Sequence, residues 1–93
     1  MELSDNNFDG NELKNLPNYE NLSQIKLANT KIKSFEDIHH LKKFKNLIFL
    51  ELEESPICKL ENYRTKIFEI LPELAYLDNI TIDGECCLKN KNL

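Results

Sequence analysis

The stretch NLIFLELEESPICKLENYRTKIFEILPELAYLD, residues 46–78, decides the fold of this chain. Its first half places apolar residues in the order LxxLxLxxxxIxxL, and the same order occurs 25 residues earlier. The matched positions are Leu22, Ile25, Leu27, Ile32 and Phe35 in the earlier stretch, and Leu47, Leu50, Leu52, Ile57 and Leu60 in the later one. Five matches in one register indicate an internal repeat.

A repeat of about 20 to 29 residues is typical of a leucine-rich solenoid, in which each unit supplies one strand and one convex segment. Strand side chains alternate, so the two leucines of each LxL face the core while Lys26 or Glu51 faces outward. Thr30 and Ser55 follow the strands, where a hydroxyl can bond the turning backbone. The sequence therefore predicts an α/β leucine-rich repeat solenoid with a curved parallel sheet on its concave side, short helical or 3₁₀ segments on its convex side and a C-terminal cap.

The same pattern divides the chain into one leucine-rich repeat domain over residues 1–83 and a flexible tail over residues 84–93. The predicted repeats cover residues 1–21, 22–46 and 47–60 approximately, and the predicted C-terminal cap covers residues 61–83. Residues 1–21 open directly on a strand pattern, one residue short of the 25-residue period. Solenoids need capping units to cover their end faces, and no capping unit precedes this strand in the sequence. We therefore expect the first strand to be an uncapped edge. Self-association into a homo-oligomer would bury Leu3, Phe8 and Leu13 there.

Three local signals predict where helical segments begin and end. Ser34 with Asp37 three residues on matches the capping signature S-x-x-[DE]. Asn62 is a favourable N-cap for an amphipathic segment that Pro72 ends. Residues 9–11, Asp-Gly-Asn, predict a turn before a short irregular or 3₁₀ segment.

Composition limits the classes of protein that remain. The chain has 93 residues, no apolar run approaching the ~20 residues that cross a bilayer, and no signal-peptide pattern, so we expect a soluble intracellular domain. A net charge of −4 and a pI of about 5.1 argue against direct nucleic-acid binding, although lysines and two histidines cluster in residues 31–45. No membrane partner is expected.

Catalytic and metal-binding motifs are not recognisable in the sequence. Cys58, Cys86 and Cys87 show neither metal-ligand nor disulfide-framework spacing, and we expect free thiols. No triad or phosphate loop is present either. The chain is therefore predicted to be no enzyme and to bind no metal or cofactor.

Strand register predicts a surface for binding protein partners. Its residues are Gln24, Lys26, Phe49, Glu51, Glu53 and Tyr76, with Glu2, Ser4, Ala28 and Asp78 in the same rows. Phe49 and Tyr76 are either anchors for a partner or rings that pack on each other across two strands, and both readings stay open. Glu51, Glu53 and Glu54 either attract a basic segment such as a histone tail or form a solvated polar face.

Residues 60–79, LENYRTKIFEILPELAYLDN, resemble the C-terminal cap shared by the spliceosomal U2 A-prime protein and the acidic leucine-rich nuclear phosphoprotein 32 family. The match looks closest to the second. Its LKKLxNL pattern is similar to LKKFKNL at residues 41–47, and its NYRxxVFxLLPxLxYLD pattern is similar to residues 62–78. The resemblance extends over residues 1–83. That family has further N-terminal repeats and a long acidic tail, whereas this sequence begins at a repeat strand and ends in NKNL.

The resemblance implies a non-enzymatic protein-binding module in the nucleus and cytoplasm. Implied partners are histones, chromatin regulators or the subunits of a serine/threonine phosphatase that the module inhibits. Alternatives are a spliceosomal scaffold like U2 A-prime and a phosphatase-regulatory leucine-rich repeat protein. The resemblance also places Tyr63 beside Asp78 in the cap. Since a buried tyrosine hydroxyl needs a partner, we expect these two side chains to form a hydrogen bond, or Asp78 to bond backbone amides nearby.

Overall fold

Three short strands pair in parallel in the order in which they occur in the chain, and a fourth pairs antiparallel at the end of the sheet. The structure, a computed structural model, describes residues 1–81. The end of the predicted cap and the predicted tail, residues 84–93, lie outside the described residues. The strands are β1 (Gln24–Lys26), β2 (Phe49–Glu51), β3 (Tyr76–Leu77) and β4 (Ile80–Thr81).

The repeat period matches the strand register. Ile25 pairs with Leu50, 25 residues later, and Leu50 pairs in turn with Leu77. Glu2 bridges Lys26, 24 residues later, which confirms both the strand-like start of the chain and its offset of one residue. Equivalent residues of successive repeats therefore lie side by side across the sheet.

Short helical segments connect the strands and share one core with them. They are α1 (Gly10–Lys14), α2 (Phe35–His39), a 3₁₀ turn (His40–Lys43), a second 3₁₀ turn (Pro56–Lys59) and α3 (Tyr63–Ile70). α2 contacts both α1 and α3. Buried apolar side chains from strands and helical segments form a single cluster that includes Leu13, Ile25, Ile38, Leu41, Leu50, Ile57, Ile67 and Leu77. The fold is thus mixed α/β, with helical segments packed on one side of a mainly parallel sheet.

Burial alternates along the strands as the sequence predicts. Leu50 and Leu52 are fully buried, whereas Phe49 and Glu51 are partly buried and Glu53 is exposed. The side of the sheet that carries Phe49, Glu51 and Glu53 is called the sheet face below. It is the side turned away from the core cluster.

Two buried hydroxyls, each located a few residues after a strand, connect successive repeats by hydrogen bonds. Thr30 is 5% exposed and Ser55 is fully buried. The Ser55 hydroxyl accepts the Thr30 N–H at 3.0 Å, and both hydroxyls bond the carbonyl oxygen of Leu27. The predicted role of these side chains in bonding turning backbone is confirmed.

This geometry predicts unequal effects for the two hydroxyls. Ser55→Ala leaves the buried Thr30 N–H without its acceptor and should lower the free energy of unfolding by about 1–3 kcal/mol. Thr30→Val keeps that bond and leaves the Leu27 carbonyl bonded to Ser55, so its cost should be less than about 1 kcal/mol. Urea denaturation of both variants checks the difference. Equal losses would show that the Thr30 N–H does not depend on Ser55.

The predicted helix caps are confirmed in position but not in their side-chain bonds. Ser34 and Asn62 are the N-cap residues of α2 and α3, yet neither side chain makes a capping hydrogen bond. At α2 the Asp37 carboxylate lies against Gly10 of α1, where a Cβ would overlap it. Asn62 has a left-handed backbone (φ 60°) instead of the extended backbone that is typical of N-cap residues.

A capping box occurs where the sequence predicted only a turn. Asp9 accepts the Glu12 N–H at 3.0 Å, and Glu12 accepts the Asp9 N–H at 3.0 Å. These reciprocal bonds make residues 10–14 an α-helix. The helix places Leu13 at 0% exposure inside the core. Leu13 is therefore not part of a free edge, and its place in the predicted self-association surface was wrong.

The first residues of the chain extend the sheet beside β1. Leu3 N–H donates to the carbonyl of Lys26 at 2.8 Å, and Asp5 N–H donates to that of Ala28 at 2.9 Å. Leu3 and Phe8 are partly buried and pack against the core cluster. Self-association through these two residues stays a prediction.

One further detail departs from the predicted pattern. Leu60 is 39% exposed although it occupies an apolar repeat position. Lys43, one of the clustered lysines of residues 31–45, is partly buried, and its ammonium group donates to the carbonyls of Leu13, Lys14 and Leu16. Within residues 1–81, no helix has the length and apolar character needed to cross a membrane.

Candidate protein-binding surface

Strand register places the predicted contact residues in two rows on the sheet face. Gln24, Phe49 and Tyr76 are direct neighbours across β1, β2 and β3. Lys26 faces Glu51 in the next row. Glu53 follows Glu51 along the chain, two residues further on, and is exposed. The structure thus brings all six predicted residues to one face, while their role in binding a partner stays a prediction.

The rings of Phe49 and Tyr76 lie beside each other. Their centroids are 6.2 Å apart and their planes are inclined by 43°, which lies within the range of favourable aromatic pairs. Both residues are partly buried. The rings therefore do pack on each other, and this contact is compatible with a role as partner anchors.

Carboxylates gather beyond the aromatic pair on β2. Partial desolvation raises the pKa of the exposed Glu53 carboxyl, and the negative charges of Asp78, Glu51 and Glu54 raise it further. The Asn79 side-chain amide donates to Glu51 Oε2 at 3.2 Å. This concentration of negative charge favours a cationic partner over an anionic one.

Asp78 lies in the tight turn between β3 and β4, where Asp78 and Asn79 have φ values of 55° and 68°. Two consecutive left-handed residues are typical of a type I′ hairpin. The sequence predicted the strand around Leu77 but not β4, although an Asp-Asn pair is a recognisable turn signal. It also missed Asn79 as a neighbour of Glu51.

The Asp78 carboxylate connects three segments. Oδ2 accepts the Tyr63 hydroxyl at 2.7 Å, and Oδ1 accepts the Leu52 N–H at 2.6 Å. The hydrogen bond expected between Tyr63 and Asp78 is therefore present. Because both carboxylate oxygens bond these groups, Asp78 does not project from the sheet face as the strand pattern predicted.

Burial of Tyr63 raises the pKa of its hydroxyl well above the ordinary value of about 10, and the charge and hydrogen bond of Asp78 raise it further. The hydroxyl thus stays protonated and donates to Asp78 throughout the physiological range. The pair joins α3 to the β3–β4 turn.

Metal-binding side chains do not gather in the part of the chain that the structure describes. Among residues 1–81, no group of three or more His, Cys, Asp or Glu side chains could hold a metal ion. Cys58 is a partly buried free thiol. Cys86 and Cys87 lie outside the described residues.

The geometry defines a class of protein before any comparison: a small α/β domain with a leucine-rich core and an open, acidic and aromatic sheet face. No protein-family model matches the chain. Curated relatives do match it. The acidic leucine-rich nuclear phosphoprotein 32 family member A of Drosophila melanogaster is 38% identical over 85 residues, which is 91% of this chain and 32% of the relative.

Two other relatives carry the same family name. Member A of Drosophila pseudoobscura pseudoobscura is 36% identical over 85 residues, covering 91% of this chain and 32% of that protein. The acidic leucine-rich nuclear phosphoprotein 32-related protein 1 of Caenorhabditis elegans is 37% identical over 91 residues, covering 91% and 38%. The chain is a homologue of acidic leucine-rich nuclear phosphoprotein 32 family members, which confirms the resemblance. It spans about a third of the length of the curated relatives it matches.

Proposed function

We propose that this chain is a non-enzymatic protein-binding module whose sheet face binds a basic segment of a nuclear protein. The observation that carries the proposal is the cluster of Glu51, Glu53 and Glu54 beside a partly exposed aromatic pair. Lys26 is the single basic side chain among the six contact residues. An extended partner rich in lysine and arginine would complement this face.

The proposal includes a finer account of the fold. The 25-residue register between β1 and β2 and the single shared core support a leucine-rich repeat solenoid. In such a solenoid the sheet face is the concave surface, which repeat proteins use to bind partners. The short helical segments then form the convex side.

The relatives' printed names support a nuclear location for this chain, and our proposal extends it to the cytoplasm. Histones and basic chromatin regulators are the partners that suit an acidic face best. Inhibition of a serine/threonine phosphatase is the second partner class, and it would use the same surface. Charge complementarity favours the histone class because its tails are rich in lysine and arginine, whereas Lys26 is the single basic side chain among the six contact residues.

The test is binding of a fluorescein-labelled histone H3 tail peptide, measured by fluorescence anisotropy. We expect binding that weakens as salt rises from about 50 to 300 mM, because exposed charges are screened. Replacing Glu51 and Glu53 by Lys should weaken it at least tenfold, or about 1.4 kcal/mol.

A matched control separates the surface from the net charge. Glu36→Lys with Glu61→Lys changes the net charge equally at exposed positions in the helical part of the fold. This control should retain most of the affinity. Equal weakening by both double variants, or no binding at low salt, would contradict the proposed surface.

A further inference from the structure

The Phe49–Tyr76 pair has no evident role in the core. Neither ring belongs to the core cluster or to the apolar side chains that pack against it, whereas Phe35 and Tyr63 do. The pair is held side by side by the β2–β3 register, on the sheet face. Its partly exposed rings are thus available to a ligand.

Three other rings of the protein already have a cation of their own. Lys43 lies 5.5 Å from the centroid of Phe44, Arg64 lies 5.5 Å from that of Phe68, and Lys66 lies 5.9 Å from that of Phe35. Within residues 1–81, no Lys or Arg side chain occupies such a position over Phe49 or Tyr76. The pair therefore has the ring faces for a cation–π contact without a cation from the described part of the chain.

Negative charge lies within reach of a cation placed on these rings. Glu51 is two residues from Phe49 on the same face, so the two Cα atoms are about 6–7 Å apart. Asn79 holds one Glu51 oxygen by a 3.2 Å hydrogen bond, which orients the carboxylate. Glu53 continues the row. A guanidinium on the rings would face carboxylates on one side.

We propose that the Phe49–Tyr76 pair receives one arginine side chain of the bound segment, with Glu51 as its counter-charge. This inference rests on the proposed function, since it names the specificity of the same face. Arginine suits the site better than lysine because its planar guanidinium stacks on aromatic rings while its N–H groups donate to a carboxylate. The sheet face thus selects segments with an arginine at one fixed position.

The test compares peptides that differ at one residue. A short basic peptide with a single Arg is measured against versions with Lys or with citrulline, the neutral isostere, by isothermal titration calorimetry. We expect Lys to weaken binding about threefold and citrulline about tenfold or more. Phe49→Leu, which keeps an apolar side chain, should weaken binding of the Arg peptide about five- to tenfold and that of the citrulline peptide little.

Tyr19→Leu is the control, since it removes a 43% exposed ring that stacks on Phe44 away from β2 and β3. It should leave the affinity for the Arg peptide unchanged, and circular dichroism establishes that each variant is folded. Arg and citrulline peptides that respond equally to Phe49→Leu overturn the inference. If Glu51→Lys with Glu53→Lys still weakens binding in that case, the proposed function stands. Failure of every basic peptide to bind overturns both.

Discussion

Replacing Asp78 by Ala should lower the free energy of unfolding by about 2.5–4 kcal/mol. The carboxylate accepts hydrogen bonds from the Leu52 N–H and the Tyr63 hydroxyl, and Leu52 is fully buried. Losing a charged acceptor costs about 1.5–3 kcal/mol for a buried donor. Ala also disfavours the left-handed φ of 55° by about 1 kcal/mol. Urea denaturation at neutral pH, followed by circular dichroism, measures the loss.

Two further variants separate the contributions to this prediction. Asp78→Gly removes the same bonds without the backbone penalty and should be about 1 kcal/mol more stable than Asp78→Ala. Asp5→Ala also changes a left-handed residue (φ 63°), but the side-chain bond from Asn29 to Asp5 is exposed. Its cost should stay near 1–1.5 kcal/mol. A loss of that size at Asp78 as well would mean that its bonds contribute little.

The Tyr63→Phe variant should be less stable than the original protein at neutral pH, and the difference should disappear in alkali. Near neutrality the variant loses a hydrogen bond to a charged acceptor, about 1.5–3 kcal/mol. The pKa of Tyr63 is raised in the folded state, so above about pH 10 the unfolded state ionises while the folded state does not. Stability that is fully present below pH 10 is therefore lost as the pH rises.

This loss amounts to about 1.4 kcal/mol per pH unit, and the phenylalanine ring of the variant has no equivalent titration. The two stability curves should therefore converge near pH 11–12. Denaturation midpoints measured from neutral pH upward check this, with Tyr19→Phe as a control that removes an exposed tyrosine hydroxyl. Titrations shared by all variants cancel in the difference. A constant gap between the original protein and Tyr63→Phe up to about pH 11.5 would contradict the raised pKa of Tyr63.

The candidate site was predictable from the sequence where it depends on strand alternation. Gln24, Lys26, Phe49, Glu51 and Tyr76 reach one face because each neighbours a buried apolar residue of the same strand. The surroundings of these residues were less predictable. Asn79 reaches Glu51 only because the chain reverses after β3. Desolvation is the main cause of the raised pKa of Glu53, and the charge of Asp78 in that same turn adds to it.

Helix caps show the same limit. Ser34 and Asp9 both precede an acidic residue three positions on, and both match a capping signature. Only Asp9 forms the capping box. Ser34 makes no side-chain capping bond, and the Asp37 carboxylate lies against Gly10 of another helix. Local sequence specifies the candidates for a cap, and packing between helices selects among them.

The sequence by itself determined the repeat, the strand order and the register between β1 and β2, since a 25-residue apolar period can bury its leucines only when equivalent residues lie side by side. It also determined the buried hydroxyls that follow the strands. Only the tertiary structure decided the β3–β4 hairpin, the burial of Leu13 and the three-way role of Asp78. Each of these depends on contacts between residues distant in the chain, whose distances and orientations no local spacing encodes.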